Sequence, residues 1–308
     1  MNLTGETRCE CGATRPLPSG AITLGIYEKA MCDPVDWDSF FASVASAGFS
    51  FVDLSIDESP ERRARLHWPA PERRMVRDAA ARAGVAIGGL CLSVHRAVGP
   101  GSADPRVREE ARRIYTEAIT LARDLGAPIV QVAGYYAYYE EPHADQRRYY
   151  VEALAEAAQT ASLAGVLLGI ENVDGTDVTS ISQGMEIVRE IGSPWLHMYP
   201  DIGNIAEQEL DTTSELAAGE GHMLAIHIKD VRPGEPRRVP LGEGTADFPA
   251  AFAELRRQRW SGRMMIEMWN DNAPDSDVVS ARARATVAGW LTEAGLPINP
   301  HPSHRETT

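Results

Sequence analysis

Cysteine is scarce in this chain of 308 residues: Cys9 and Cys11 lie in a polar leader, Cys32 just after the first apolar run and Cys91 inside another. That scatter excludes a disulfide framework. Cys9-x-Cys11 has the form of half a metal clip, but the second pair that structural zinc sites use does not follow downstream. Long hydrophobic runs are missing too. No stretch approaches the roughly 20 apolar residues of a membrane helix, so no membrane partner is expected. Residues 1–20 carry charges and prolines without an apolar core; they are no secretory signal, and the expected location is cytoplasmic. Positive charge is in deficit, with 30 Lys and Arg against 44 Asp and Glu and a net charge of −14. This argues against a nucleic-acid partner, which needs clustered basic residues. It does not exclude a phosphorylated small molecule. Charges are screened over about 8 Å at physiological salt, so a local basic pocket outweighs a distant acidic surface.

What is present is a rhythm. Short apolar runs at Ile22–Tyr27, Phe51–Ile56, Ala86–Leu92, 129–134, 166–170, 196–199, 223–228 and 264–268 alternate with long amphipathic stretches. Most runs lack polar alternation, as parallel strands buried on both faces do. The clearest helix runs from Asp104 to Gly126. Its stripe Val107, Ala111, Ile114, Ala118, Leu121 and Leu125 recurs in steps of 4, 3, 4, 3 and 4. Asp104 is placed to cap it, Pro105 to occupy its first turn and Gly126 to end it. Asp33-Pro34 is expected to open the first helix in the same way, and residues 277–294 form the last. Gly48, Gly84, Gly126 and Gly165 each close a helical stripe just before a strand, at intervals of 36, 42 and 39 residues. Eight such β-α units predict an α/β fold, a single-domain (β/α)8 barrel, over 21–296. A polar leader (1–20) precedes it and a polar tail (297–308) follows. A doubly wound dinucleotide fold is the poorer reading, because no G-x-G-x-x-G follows the first strand.

Barrels of this kind carry their chemistry at the C-terminal ends of the strands. Four successive strands place a ligand-type residue there: Glu171 after Gly169-Ile170, Asp201 after Tyr199-Pro200, His227 in Ala225-Ile226-His227-Ile228, and Glu267 in Met265-Ile266-Glu267-Met268. Taken singly, each reads as a separately satisfied polar group at the barrel mouth. Taken together they read as a metal site, because three carboxylates facing one mouth repel one another and a divalent cation removes that repulsion. The three-oxygen, one-nitrogen set suits Mn2+, Zn2+, Co2+ or Mg2+ without choosing among them.

A second group, Lys29 after strand one, His95 and Arg96 after strand three, and Arg237 ahead of Pro240-Leu241-Gly242-Glu243-Gly244, is expected to bind substrate, through phosphate or sugar hydroxyls. Arg96 reads almost equally well as a surface salt bridge, and Gly-Glu-Gly as a simple turn. The tyrosines 135, 136, 138 and 139 either roof the pocket or pack a loop. His197 and His222 fall at the opposite end of the strands and His301 and His304 in the tail; none is expected to be a ligand.

These motifs resemble the xylose isomerase-like barrel superfamily and, more closely, its L-ribulose-5-phosphate (L-xylulose-5-phosphate) 3-epimerase family. The likeness spans residues 22–297. It rests on Gly25-Ile26-Tyr27-Glu28-Lys29-Ala30, Ser55-Ile56-Asp57-Glu58, Cys91-Leu92-Ser93-Val94-His95-Arg96, Gln131-Val132-Ala133-Gly134-Tyr135, Tyr199-Pro200-Asp201-Ile202-Gly203-Asn204, Ile226-His227-Ile228-Lys229-Asp230, Pro240-Leu241-Gly242-Glu243-Gly244 and Ile266-Glu267-Met268-Trp269. The resemblance implies that Glu171, Asp201, His227 and Glu267 bind one divalent metal ion, Mn2+ first among the candidates, and that Glu171 and Glu267 are the acid/base pair. The expected reaction is inversion of C3 of a ketose phosphate through an enediolate, one glutamate removing the proton and the other returning one from the far face. The expected partner is a small-molecule ketose or ketose phosphate, and a homo-oligomer, dimer or tetramer, is expected. Ala97 stands where the family often continues its His-Arg with a second basic residue, and residues 172–179 differ from the family's pattern. A free-ketose 3-epimerase, an aldose–ketose isomerase and an inosose-type dehydratase are the alternatives on the same site. A DNA-repair endonuclease would want a His-rich metal cluster and a basic face. A sugar-binding regulator without turnover would have no need of both glutamates.

Overall fold

In the computed structural model, which describes residues 21–300, ten strands follow one another along the chain. They are β1 (Ile22–Tyr27), β2 (Phe51–Ile56), β3 (Ala86–Leu92), β4 (Ile129–Ala133), β5 (Leu167–Glu171), β6 (Leu196–Met198), β7 (Ala225–Ile228), β8 (Asp230–Arg232), β9 (Glu235–Val239) and β10 (Gly262–Ile266). Eight of them form one sheet in the order β6-β5-β4-β3-β2-β1-β10-β7, with every pairing parallel. Isolated parallel bridges Met198–Met223 and Asp201–His227 join the two outer strands and close the barrel. The closure matters for function, since it draws Asp201 and His227 together.

The helices form where the periodicity places them. The helix Pro105–Leu125 begins at Asp104, whose carboxylate accepts from the Arg106 amide, and ends at Gly126 with φ 75°. Gly48, Gly84 and Gly165 take the same left-handed conformation, which lets the chain turn straight into the next strand. Ile22, Leu24, Ile26, Val52, Leu54 and Leu90 are buried on one face of the sheet, and Tyr27, Phe51, Cys91 and Met265 pack together on the other, so burial on both strand faces holds the barrel together. Beside β2, Arg65 makes two 2.6 Å bonds to the Glu28 carboxylate and lies over the rings of Trp37 and Trp68. The Ser55 amide donates to the same carboxylate at 2.7 Å. This buried clamp ties the turn Glu28–Ala30, and with it Lys29, to the neighbouring strand.

Three expectations change. Asp33-Pro34 does not open the first helix: Asp36 caps Trp37–Ser46 through the Ser39 amide, while the Asp33 amide bonds to Asn272 at 2.6 Å and its carboxylate pairs with Arg62. The chain beyond 296 is not all tail, because Ile22 donates to Pro297 and Asn299 to Ile22 at the foot of β1. Between β7 and β10 a two-stranded antiparallel hairpin, β8–β9, stands outside the barrel sheet. The leader 1–20, with Cys9 and Cys11, and residues 301–308, with His301 and His304, lie outside the described residues.

Candidate active site

The ends of β5, β6, β7 and β10 bring four side chains to one place. Glu171 is the last residue of β5, Asp201 lies three residues beyond β6, His227 sits within β7 and Glu267 directly follows β10. One ligand-type atom from each lies within 4.8 Å of the others. His227 Nδ1 is 2.8 Å from Glu171 Oε1 and 3.7 Å from Glu267 Oε2. Asp201 caps the short helix Ile202–Glu207, its Oδ1 accepting from the amides of Gly203 at 2.8 Å and Asn204 at 3.2 Å. Its own backbone is gripped by Asn172, which accepts from the Asp201 amide and donates to its carbonyl. Glu171 Oε2 accepts from Gln131 Nε2 at 2.6 Å. Lys229 Nζ reaches Asp201 Oδ2 at 2.6 Å and Glu267 Oε2 at 3.6 Å.

The residues fit a divalent cation. Three carboxylates crowd together where water is largely excluded, and Glu267 Oε2 is buried without a hydrogen bond. Burial alone would push the His227 imidazole down; the carboxylates of Glu267 and Glu171 outweigh it and raise the ring to about 9. The cluster thus favours positive charge. Burial likewise opposes the charge of Lys229, yet Asp201 and Glu267 hold its ammonium above the ordinary lysine value. Beneath the cluster the Tyr199 ring packs 4.4 Å from His227, and its hydroxyl donates to buried Asp53 at 2.6 Å. Packing from below therefore fixes the imidazole that faces the carboxylates.

A cavity of about 330 Å³ opens above the cluster. Glu171, Glu267 and Gln131 form one side and Tyr27, Cys91 and Trp269 contribute apolar surface, while Lys29, Arg62, Arg96, Arg237 and Arg238 bring five basic groups to the rest of the lining. The local basic pocket in an acidic protein is thus present. Most of these cations have acidic partners: Lys29 pairs with Asp57, Arg62 with Asp33, Arg237 with Asp174 at 3.0 Å and Arg238 with Asp271 at 2.7 Å. Burial alone would raise the Asp57 carboxyl, but Lys29 and Ser59 together lower it to about 2. Arg96 is held instead between aromatic rings, 5.5 Å from the centroid of Tyr135 and 5.9 Å from that of Tyr138. The tyrosine-rich segment after β4 thus presents a cation to the cavity.

Of the substrate contacts expected from sequence, Lys29, Arg96 and Arg237 line the cavity and His95 does not. The expectation for His95 is corrected. Its side chain is buried against Tyr115 with Nε2 3.3 Å from the Ala111 carbonyl, and burial lowers it to about 4, so at neutral pH it is an uncharged packing group. The Gly242-Glu243-Gly244 piece is a turn with a purpose. The Asp230 carboxylate accepts from the amides of Gly242, Gly244 and Ala246, and a Cβ at Gly244 would lie 2.0 Å from that carboxylate. The wrapped turn anchors the hairpin that carries Arg237 and Arg238. His197 and His222 pair at 5.5 Å away from the ligand cluster.

Sequence reasoning missed Gln131, Arg62, Arg238 and Lys229 as parts of the site. Gln131 was open to discovery: it is the single polar residue in Ile-Val-Gln-Val-Ala, the same kind of interruption that marks Glu171. Arg62 reaches the cavity from the short helix Pro60–Arg63, for which the apolar pattern carries no signal.

Residues 41–293 match the xylose isomerase-like TIM barrel family. The chain is 38% identical over 278 residues to L-ribulose-5-phosphate 3-epimerase UlaE of Escherichia coli O157:H7, a match covering 90% of this chain and 98% of that protein. A solved L-ribulose 3-epimerase is similar with a TM-score of 0.76 at 22% identity, covering 88% of this chain and 95% of that one. D-allulose 3-epimerase from Methylomonas sp. follows with a TM-score of 0.74 at 17% identity, covering 88% and 98%. The two structural likenesses carry the fold, and the 38% relative carries the family. The chain belongs to the xylose isomerase-like TIM barrel family and, within it, to the L-ribulose-5-phosphate 3-epimerase family.

Proposed function

We propose that this chain is a divalent-metal-dependent 3-epimerase of a ketose 5-phosphate, interconverting a pair such as L-ribulose and L-xylulose 5-phosphate. One observation carries the reading: of the four clustered ligand residues, Glu171 and Glu267 also line the cavity, while Asp201 and His227 lie beneath them. Two carboxylates carried by separate strands, β5 and β10, at one small cavity are what inversion of a C–H centre needs. One enters ionised and takes the C3 proton; the other enters protonated and delivers its proton to the opposite face. A divalent cation held by the four residues, Mn2+ first among them, supplies Lewis-acid stabilisation of the negative charge that develops on the sugar oxygens beside C3. Gln131 and His227 fix the two Glu171 oxygens, so that this carboxylate meets substrate in a set orientation. Tyr27, Cys91 and Trp269 offer the carbon skeleton an apolar surface, with Tyr27 and Trp269 edge to face at 5.8 Å.

The basic lining supports a phosphate at the far end of the sugar. Charge-assisted hydrogen bonds contribute about 1.5–3 kcal/mol each. Arg96→Ala should therefore raise KM for the ketose phosphate roughly 10- to 150-fold and leave the free sugar's kinetics almost unchanged. Equal damage with both substrates would show that Arg96 supports the loop instead. A free-ketose 3-epimerase is the second reading, favoured by the acidic partners that already engage Lys29, Arg62, Arg237 and Arg238.

The deciding experiment is NMR of Mn2+-activated, then metal-exchanged diamagnetic enzyme in D2O, with ketose 5-phosphates and the matching free ketoses. Deuterium entering at C3 alone, with phosphorylated substrate preferred, is the expected result. Deuterium at C1 would make the chain an aldose–ketose isomerase. Net loss of water would make it a dehydratase.

A further inference from the structure

Lys229 is the buried cation of the site for which the proposed chemistry has no use. It follows His227 by two residues, is 5% exposed and does not line the cavity. Its Nζ lies 2.6 Å from Asp201 Oδ2, 2.7 Å from Asn204 Oδ1 and 3.6 Å from Glu267 Oε2. The other Asp201 oxygen is already engaged by the amides of Gly203 and Asn204, so Asp201 faces the cluster through the oxygen that Lys229 holds. The approach is built in. A Cβ at Gly203 would come within 2.7 Å of the Lys229 carbonyl and 3.0 Å of its Cε. Asn204 is tied in turn to the Asn172 carbonyl at 2.8 Å.

We propose that Lys229 is a positioning residue that acts as a fixed counter-ion. It holds the carboxylates of Asp201 and Glu267 in place for a metal, and it limits how tightly one divalent cation is bound. The inference rests on the metal reading of the four-residue cluster. Buried carboxylates without a counter-charge repel one another and destabilise the fold around them. An ammonium beside them relieves that repulsion, but it also repels an incoming cation across a few ångströms of poorly screening protein. Lys229 thus preorganises the site and weakens metal binding at once.

The two effects separate experimentally. In Lys229→Met and Lys229→Gln, both neutral, chelator-stripped protein should melt at a lower temperature than wild type. Saturating Mn2+ should restore most of that loss. Calorimetric titration with Mn2+ should give a Kd about tenfold or more below the wild-type value. A lysine with only a packing role would lower melting equally with and without Mn2+ and leave Kd unchanged or weaker, which overturns the proposal. A Lys229→Met protein that folds only with Mn2+ supports it. If that variant is unfolded in both states, Lys229→Gln decides by the same two measurements. Wild-type protein that binds no divalent cation overturns the metal reading and this inference together, whereas wild-type binding with unchanged variant Kd values overturns this inference alone.

Discussion

Glu171→Gln and Glu267→Gln should each give a folded barrel that epimerises at least about a hundredfold, and up to about ten-thousandfold, more slowly than wild type. The amide is nearly the same size as the carboxylate but accepts no C3 proton at neutral pH, and on the proposed metal reading the loss of a charged ligand adds to the damage. The two variants should differ in a way the geometry dictates. Both Glu171 oxygens stand at hydrogen-bond distance, from Gln131 Nε2 at 2.6 Å and His227 Nδ1 at 2.8 Å. A glutamine there turns its NH2 towards one of those two groups, so Glu171→Gln should disturb the cluster and lose metal. Glu267 Oε2 accepts no hydrogen bond, so Glu267→Gln should keep more metal and be the cleaner test of proton transfer. Turnover, metal content and melting temperature on the same preparations distinguish these effects. A variant that keeps bound metal and a near-wild-type rate shows that its glutamate does not move the proton.

The barrel was legible because its strands are buried on both faces and its helices end on glycines. Apolar runs such as Phe51–Ile56 leave little choice of structure, and Gly84, Gly126 and Gly165 each take positive φ where the chain re-enters the sheet. The hairpin β8–β9 was not legible: Asp230–Arg232 and Glu235–Val239 are short and mostly charged, with Pro236 inside the second, so no apolar run marks them, and what holds the connection behind them is a carboxylate wrapped by backbone amides. The four clustered ligand-type residues stood out because an acid or imidazole interrupts an apolar run at the same end of four successive strands. His95 and Arg96 show where that reasoning stops. They are adjacent in one 3-10 turn, Ser93–Arg96, yet one packs into the protein on Tyr115 and the other lines the cavity. Sequence places both at a strand end; the rotation of the turn decides which of them faces the cavity. Lys229 and Arg62 depend on reach as well, a long side chain extending to a neighbouring strand's carboxylate or over the cavity rim.

Chelation should abolish turnover, and Mn2+ should restore it, because three of the four cluster residues are carboxylates whose mutual repulsion a cation relieves. The same binding should be visible without any activity assay. A ligand present at a hundred times its Kd stabilises the folded state by about 2.7 kcal/mol, so stripped wild-type protein should melt several degrees higher once Mn2+ is added. His227→Ala removes the one nitrogen donor, which lies 2.8 Å from Glu171 and 3.7 Å from Glu267. Removing a residue that merely supports a ligand commonly weakens metal binding about 10- to 100-fold, so losing the ligand itself should weaken it by at least about 100-fold. At the same Mn2+ concentration the stabilisation then falls to about 0.4 kcal/mol, a shift in melting temperature close to none. Removing the imidazole also takes away the positive charge that the carboxylates favour at neutral pH, so the stripped variant should itself melt below stripped wild type. The two shifts have opposite origins, one from a lost ligand and one from a lost internal cation, and the Mn2+ titration separates them. Full activity in exhaustively chelated wild-type protein, or an unchanged Mn2+ response in His227→Ala, would show that the four residues are separately satisfied polar groups and not a metal centre.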